Sequence, residues 1–147
     1  MPARATIDSN IFVYAELEPK TEKGVRAFHA IEAAAPHGIV AVQALLEFFA
    51  VVRRRRPESL QSAAAKVEAW SRVFEIAPTS GPVLRAALQL VQAHKFQVWD
   101  AVVWSAAHFA GARLFLSEDL QNGLEIGGMR AVNPFALSKA ELAALFK

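Results

Sequence analysis

The sequence predicts an α/β fold, a three-layer α/β/α sandwich built on a mostly parallel sheet of about five strands. Short β-type runs alternate with segments of helical periodicity, an order that pairs strands in parallel through right-handed crossovers and places helices on both faces. Hydrophobic residues make up 54% of the 147 residues and charged residues 20%, which indicates strands buried on both faces or a sizeable oligomer interface. A chain of this length buries one core, so we expect a single domain over residues 1–147.

Strand-like and helix-like segments alternate along the chain. Apolar or β-branched runs that end in turn or cap residues predict strands at 5–8, 38–42, 74–77, 113–116 and 130–132. Apolar residues at helical spacing predict a short helix after the first strand, then helices at 21–35, 43–56, 59–73, 82–94 and 99–110. Ser138 and Glu141 have the spacing of a capping box that opens a last helix.

Composition excludes several classes of protein. The longest apolar stretch, residues 39–52, is interrupted by Gln43 and Glu47 and is shorter than the ~20 residues that a membrane span needs. The N-terminal residues lack an apolar signal region and the chain contains no cysteine. We therefore expect a cytoplasmic protein without a membrane segment. The net charge of +2 is too small to indicate a nucleic-acid partner by itself.

The aspartates are the most informative acidic residues, because they number only three among 14 acids. Asp8 closes the first predicted strand and Asp119 follows the fourth, while Glu47 lies about one turn into the helix after the second strand and Asp100 opens a helix. Ligands of parallel α/β sheets bind outside the carboxyl ends of the strands. We therefore expect these four acids to converge at one edge of the sheet.

Four adjacent carboxylates need raised pKa values or a countercharge, and hard oxygen ligands of this kind suit Mg²⁺ or Mn²⁺. A second interpretation remains open for each residue. Aspartate is a preferred helix N-cap, so Asp8, Asp100 and Asp119 can each serve only to hold the start of a helix. Glu47 can lie on a narrow solvent-facing stripe of its helix.

Ordered segments of the chain resemble the motifs of the PIN-domain family. Each segment is short, but the resemblance covers nearly the whole chain in the correct order. The segments are TIDSN at 6–10, LEF at 46–48, VWDA at 98–101 followed by AA at 106–107, and LSEDLQNG at 116–123. A further segment, VNPF at 132–135, resembles the closing strand of many VapC-type toxins, the ribonuclease half of type II toxin–antitoxin (VapBC) pairs.

The resemblance implies a Mg²⁺- or Mn²⁺-dependent ribonuclease, held inactive by a cognate antitoxin when it is a toxin. Carried over by position, it identifies Asp8, Glu47, Asp100 and Asp119 as the catalytic and metal-binding acids. Such a site hydrolyses an RNA phosphodiester with a metal-activated water and needs no covalent protein nucleophile. Asn122 stands where family members often carry a further acid, so occupancy by a second ion stays open.

Secondary site residues flank the acids. Ser9 and Ser117 can orient a carboxylate or a water, or form only local turn hydrogen bonds. The arginines at 53–56 can contact RNA phosphates or simply complement the C-terminus of their helix. Arg54 lies nearest to the Glu47 face and is the candidate RNA-binding residue.

The Glu47 helix carries more apolar residues than one core-facing stripe needs. This indicates a second packing partner, for which the resemblance implies a second copy of the chain, in a homodimer, and the antitoxin; a deeply buried helix gives the same pattern. The alternative function is a non-catalytic PIN-like module that binds RNA or protein. A receiver domain fits poorly, because Asp8 lacks a neighbouring acid and the third strand ends without an acceptor aspartate.

Overall fold

The computed structural model describes residues 2–147, which form a six-stranded sheet and seven α-helices. The strands are β1 (Ala5–Ile7), β2 (Ile39–Ala41), β3 (Glu75–Ala77), β4 (Leu114–Leu116), β5 (Glu125–Ile126) and β6 (Met129–Val132). The helices are α1 (Ser9–Leu17), α2 (Glu22–Ala34), α3 (Val42–Arg55), α4 (Leu60–Val73), α5 (Gly81–His94), α6 (Val98–Phe109) and α7 (Lys139–Ala144). Short 3-10 turns occupy Ala35–His37, Pro57–Ser59 and Pro134–Ala136.

The strand order is β3-β2-β1-β4-β6-β5, and all neighbours pair in parallel except β5 with β6. The register places Ile7 of β1 opposite Leu116 of β4, and Leu116 opposite Val132 of β6. The residues that follow β1 and β4 therefore meet at one edge of the sheet. This register is what brings residues 8 and 117 together across more than a hundred positions of sequence.

The helices form two groups that follow from the strand order. From β1 to β3 the chain moves in one direction across the sheet, and the return from β3 to β4 crosses back. Right-handed crossovers place these two movements on opposite faces. Contacts agree with this division, because α1 packs on α2 and α3, α3 packs on α4, and α5 packs on α6.

Aromatic side chains fill the core on each side. Phe12 and Phe48 are fully buried, with ring centroids 6.2 Å apart, and Trp70 lies 4.4 Å from Phe12. Trp104 of α6 lies 5.0 Å from Phe115 of β4. These rings join α1, α3 and α4 to each other and α6 to the sheet, so the elements that carry the acids are held by large apolar contacts.

The prediction of an α/β fold with a mostly parallel sheet is confirmed, and the predicted helix and strand bounds lie within one or two residues of those observed. The sheet has one strand more than the five predicted. The extra strand, β5, is only two residues long and forms a hairpin with β6 through Gly127 and Gly128, whose φ angles are 62° and 85°. Two glycines with positive φ are typical of such a hairpin turn.

Among residues 2–147, no helix is both long enough and apolar enough to cross a bilayer.

Candidate active site

Asp8 lies between β1 and α1, and its side chain has two kinds of partner. It is the N-cap of α1, where Oδ1 accepts a hydrogen bond from the Ser9 N–H at 2.8 Å. Its other oxygen, Oδ2, accepts from the Ser117 hydroxyl at 2.8 Å. The side chain is 2% exposed. The N-cap interpretation is therefore correct for Asp8, but a cap alone needs neither this burial nor a partner on β4.

The pKa of Asp8 is raised from 3.8 to about 7. Burial is the main cause and the charges of Asp100 and Asp119 add to it, while hydrogen bonds from Ser117 and Ser9 act to lower the pKa. A carboxyl removed from water resists ionisation, and neighbouring negative charge adds to that resistance. Near neutral pH, the site is therefore poised between a protonated and an ionised Asp8.

Asp100 is the third residue of α6 and is half-buried. Gln97 is the N-cap of that helix, so Asp100 is not there as a cap. Burial raises the pKa of Asp100, and the charges of Asp119 and Glu47 raise it as well.

Asp119 lies on the exposed bend after β4. Its Oδ2 accepts a hydrogen bond from the Asn10 side-chain amide at 3.0 Å, and its backbone N–H donates to Ser117 Oγ at 3.1 Å. No helix begins at Asp119, since residues 118–120 form a bend. The N-cap interpretation is therefore wrong for this residue, as it is for Asp100.

Glu47 projects from α3 toward the start of α1. Its Oε2 accepts from the Ser9 hydroxyl at 3.2 Å, and its Oε1 accepts from the Gln43 side-chain amide at 3.4 Å. Its charge acts on Asp100 across the site. The structure thus brings all four acids to the same edge of the sheet, where the Ser9 hydroxyl donates to Glu47 and the Ser117 hydroxyl donates to Asp8.

Asn10 is the site residue that sequence analysis treated only as a turn former. Its Nδ2 lies 3.4 Å from Asp8 Oδ2, 3.3 Å from Ser117 Oγ and 3.0 Å from Asp119 Oδ2. Its Oδ1 is buried without a hydrogen-bond partner among residues 2–147. The sequence feature that could have identified Asn10 as a site residue is its position two residues after Asp8, in the first turn of the helix that Asp8 caps. Asn10 links two of the acids across the sheet edge.

The chemistry of the donor set fits a divalent cation. None of the four acids forms an ion pair with a lysine, arginine or histidine of residues 2–147. The uncompensated charge is carried by carboxylate oxygens, and Asn10 adds an amide oxygen; both are ligands that Mg²⁺ accepts. The described side chains nonetheless include no group of three or more acids, histidines or cysteines spaced closely enough to hold an ion as they stand.

A cleft of about 400 Å³ opens beside the acids. Ser9, Asn10 and Asp119 line it, and the exposed Arg54 lines it together with Arg55, which sequence analysis did not single out. The two arginines therefore flank the acidic edge without forming an ion pair with any of the four acids.

Asn122 forms no hydrogen bond with the four acids. It is exposed, and its side-chain oxygen accepts from the backbone N–H of Asn133 at 3.0 Å. This contact ties the loop after β4 to the end of β6. The structure thus gives Asn122 a role in holding the loop.

The sequence profile of the PIN domain matches residues 5–121. The chain belongs to the PIN-domain family. The match includes all four acids, from Asp8 to Asp119, as well as the arginines of α3. No curated protein matches the sequence of this PIN domain.

Solved structures share its fold at low sequence identity. A toxin–antitoxin complex from Klebsiella pneumoniae is similar with a TM-score of 0.68 and 19% identity, over 88% of this chain and 97% of that one. The Mycobacterium tuberculosis toxin VapC20, described as cleaving the sarcin–ricin loop, has a TM-score of 0.64 and 16% identity, over 78% and 91%. DNA-bound VapBC from Salmonella typhimurium has a TM-score of 0.62 and 15% identity, over 88% and 96%.

Proposed function

We propose that this PIN domain is a metal-dependent endoribonuclease and the toxin component of a toxin–antitoxin pair. The observation that carries the proposal is the concentration of four carboxylates, one of them buried, at a sheet edge without a basic partner among residues 2–147. Burying negative charge in this way is costly unless a cation binds there. The structural relatives described as VapC and VapBC proteins support the toxin assignment.

Asp8, Glu47, Asp100 and Asp119 would together hold Mg²⁺ or Mn²⁺. When bound, such an ion supplies an activated water for attack on phosphorus and stabilises negative charge on the phosphate. Ser117 and Asn10 orient the carboxylates of Asp8 and Asp119 through the hydrogen bonds described above. Arg54, on the wall of the cleft, binds an RNA phosphate next to the scissile bond, as a charged donor positions a backbone without selecting sequence.

The partner surfaces follow from exposed apolar side chains. Val42 and Leu46 on α3 and Leu84 and Leu88 on α5 are between 37% and 56% exposed, although Leu45, Phe48 and Val52 of α3 are buried in the core. We assign these side chains to contacts with a second copy of the chain.

The antitoxin places a basic group in the acidic site, where an opposite charge relieves carboxylate repulsion. Light scattering on the isolated chain tests the dimer, and co-purification from the native host tests the antitoxin.

The central test uses a circular single-stranded RNA, which only an endonuclease can linearise. We expect cleavage with Mg²⁺ or Mn²⁺ and none with EDTA. Asp100→Asn and Asp119→Asn should each lose most of the activity while keeping the fold. The matched control is Glu68→Gln, which removes an exposed carboxylate of α4 that has no ion pair within residues 2–147. It should cleave as the wild type does.

The same assay separates the alternative function. Equal cleavage in EDTA would exclude the metal mechanism. Binding of the RNA circle without cleavage under any metal would instead support a non-catalytic PIN-like module, whose salt-dependent RNA affinity would still fall when Arg54 is replaced by alanine.

A further inference from the structure

Glu118 lies between Ser117 and Asp119 and lines the same cleft as Asp119, but its side-chain partners are Tyr14 and Lys23 and not the four acids. Tyr14 of α1 donates a hydrogen bond from its hydroxyl to Glu118 Oε1 at 2.8 Å. Lys23 of α2 forms an ion pair with Oε2 of the same carboxylate. Both carboxylate oxygens of Glu118 are therefore engaged by the helices that precede the site.

The three side chains form a closed ring. The Lys23 ammonium also donates to the Tyr14 hydroxyl at 3.2 Å and lies 4.5 Å from the centre of the Tyr14 ring and 5.1 Å from that of Phe135. Phe135 packs edge-on against Tyr14 with ring centroids 5.3 Å apart. Several partners fix each group, so this network holds one geometry better than an isolated surface ion pair does.

The ring acts on a loop that carries two site residues. On one side of Glu118, the Ser117 hydroxyl donates to Asp8, and on the other side Asp119 accepts from Asn10. Because Glu118 lies between these two residues in the chain, fixing its side chain restrains the backbone from which both of them project. No other ion pair within residues 2–147 holds residues 117–119.

We propose that Glu118, Tyr14 and Lys23 are positioning residues that hold the loop after β4 so that Asp119 stays at the acidic site. The inference rests on the proposed function, because it assigns the loop to the binding of a divalent ion. None of the three touches the four acids; they act through the backbone of residues 117–119.

The electrostatics of the ring agree with this role. Partial burial acts to raise the pKa of Glu118, but the hydrogen bonds from Lys23 and Tyr14 outweigh it and hold this pKa below its usual value. The hydrogen bond to Glu118 raises the pKa of Lys23. Glu118 and Lys23 therefore both stay charged at neutral pH, and the Tyr14 hydroxyl keeps the proton that it donates to Glu118, so the ring is complete in the pH range where the site would bind a metal.

Three variants separate positioning from charge. Glu118→Gln removes a negative charge and Lys23→Met removes a positive one, so a purely coulombic effect would weaken Mg²⁺ binding in the first and strengthen it in the second. Tyr14→Phe removes only a hydroxyl and leaves the charge unchanged. Positioning predicts weaker binding in all three. The control is Glu22→Gln, which breaks the exposed Arg26–Glu22 pair on α2, whose atoms lie 3.2 Å apart.

Two measurements are made on the full chain without RNA. Calorimetric titration with Mg²⁺ should give a dissociation constant about tenfold higher in each ring variant, the change that loss of one charge-assisted hydrogen bond produces, and an unchanged constant in the control. In EDTA, the NMR signals of the Asn10 side-chain amide should move toward those of a free amide in the ring variants only, because the bond to Asp119 loosens. Melting temperatures confirm that each variant is folded.

Each outcome decides the proposal. Weakened Mg²⁺ binding in Glu118→Gln with tighter binding in Lys23→Met would reduce the ring to a charge effect and overturn it. Unchanged Asn10 signals in all three variants would overturn it as well. If the wild type binds no Mg²⁺, the proposed function fails, and the Asn10 signals in EDTA alone decide whether the ring positions the loop.

Discussion

Replacing Asp8 by asparagine is expected to change the stability of the metal-free protein in opposite directions at low and at high pH. The pKa of Asp8 is raised in the folded protein, from 3.8 to about 7. The fold therefore favours the protonated carboxyl, so its contribution is most favourable at low pH and is lost as the pH rises from about 4 to about 7. A shift of about three units corresponds to an electrostatic cost of about 4 kcal/mol above that range.

Asparagine avoids this cost but loses one hydrogen bond. Its amide oxygen still accepts from the Ser9 N–H, since asparagine caps helices as well as aspartate does. The amide nitrogen cannot accept from the Ser117 hydroxyl, now 2.8 Å from Asp8, at a cost of roughly 1–2 kcal/mol. The variant should thus be more stable than the wild type by about 2 kcal/mol at pH 8 and less stable by about 1–2 kcal/mol at pH 4.

The assay is urea denaturation in EDTA between pH 4 and pH 8, followed by tryptophan fluorescence, with the difference between the two proteins plotted against pH. Groups other than Asp8 titrate in both proteins and largely cancel in this difference. A wild type that is more stable than Asp8→Asn by a constant amount across the whole range would refute the reasoning, because Asp8 would then ionise in the folded protein as it does in the unfolded chain.

Asp119→Asn is expected to raise the melting temperature in EDTA, because it removes carboxylate repulsion, and to show a smaller rise than the wild type when Mg²⁺ is added, because it removes a metal ligand. Thermal melts of both proteins test this, and equal rises in melting temperature with Mg²⁺ would contradict it. Phe48→Ala removes a fully buried ring whose centroid lies 5.1 Å from that of Trp70 and should lower the free energy of unfolding by about 3–5 kcal/mol, measured by urea denaturation. Gly127→Ala places a Cβ at a φ of 62° and 3.2 Å from His108 Nε2 and should cost about 1 kcal/mol in the same assay; an unchanged midpoint would show that the hairpin turn tolerates a side chain.

The acids of the site are close enough to affect one another's pKa but not close enough to bind one ion together. The charges of Asp100 and Asp119 act on Asp8, and those of Asp119 and Glu47 act on Asp100, yet the described side chains do not lie at the spacing of ligands to one ion. An ion shared by these acids would have to draw their side chains together, and the Mg²⁺ titration measures the net free energy of doing so.

Local chemistry made most of the fold predictable. Helix periodicity, proline and cap residues act within a few positions, so α2 to α6 could be bounded closely, and the capping box of Ser138 and Glu141 is present as predicted. The strand β5 was missed because two residues carry no periodic pattern. Its signal was Gly127 and Gly128, whose positive φ values mark a hairpin.

The sequence by itself determined the order of strands and helices and, through the rule that parallel strands end at one edge, the approach of Asp8, Glu47, Asp100 and Asp119. The tertiary structure decided the hydrogen-bond partners, the burial and the pKa values of these groups. Asn10 meets Asp119 across 109 positions and Tyr14 meets Glu118 across 104, and no local pattern encodes such pairs. The raised pKa of Asp8 has the same origin, because desolvation depends on how many atoms from distant segments cover a carboxyl, which is settled only when the sheet and its helices pack together.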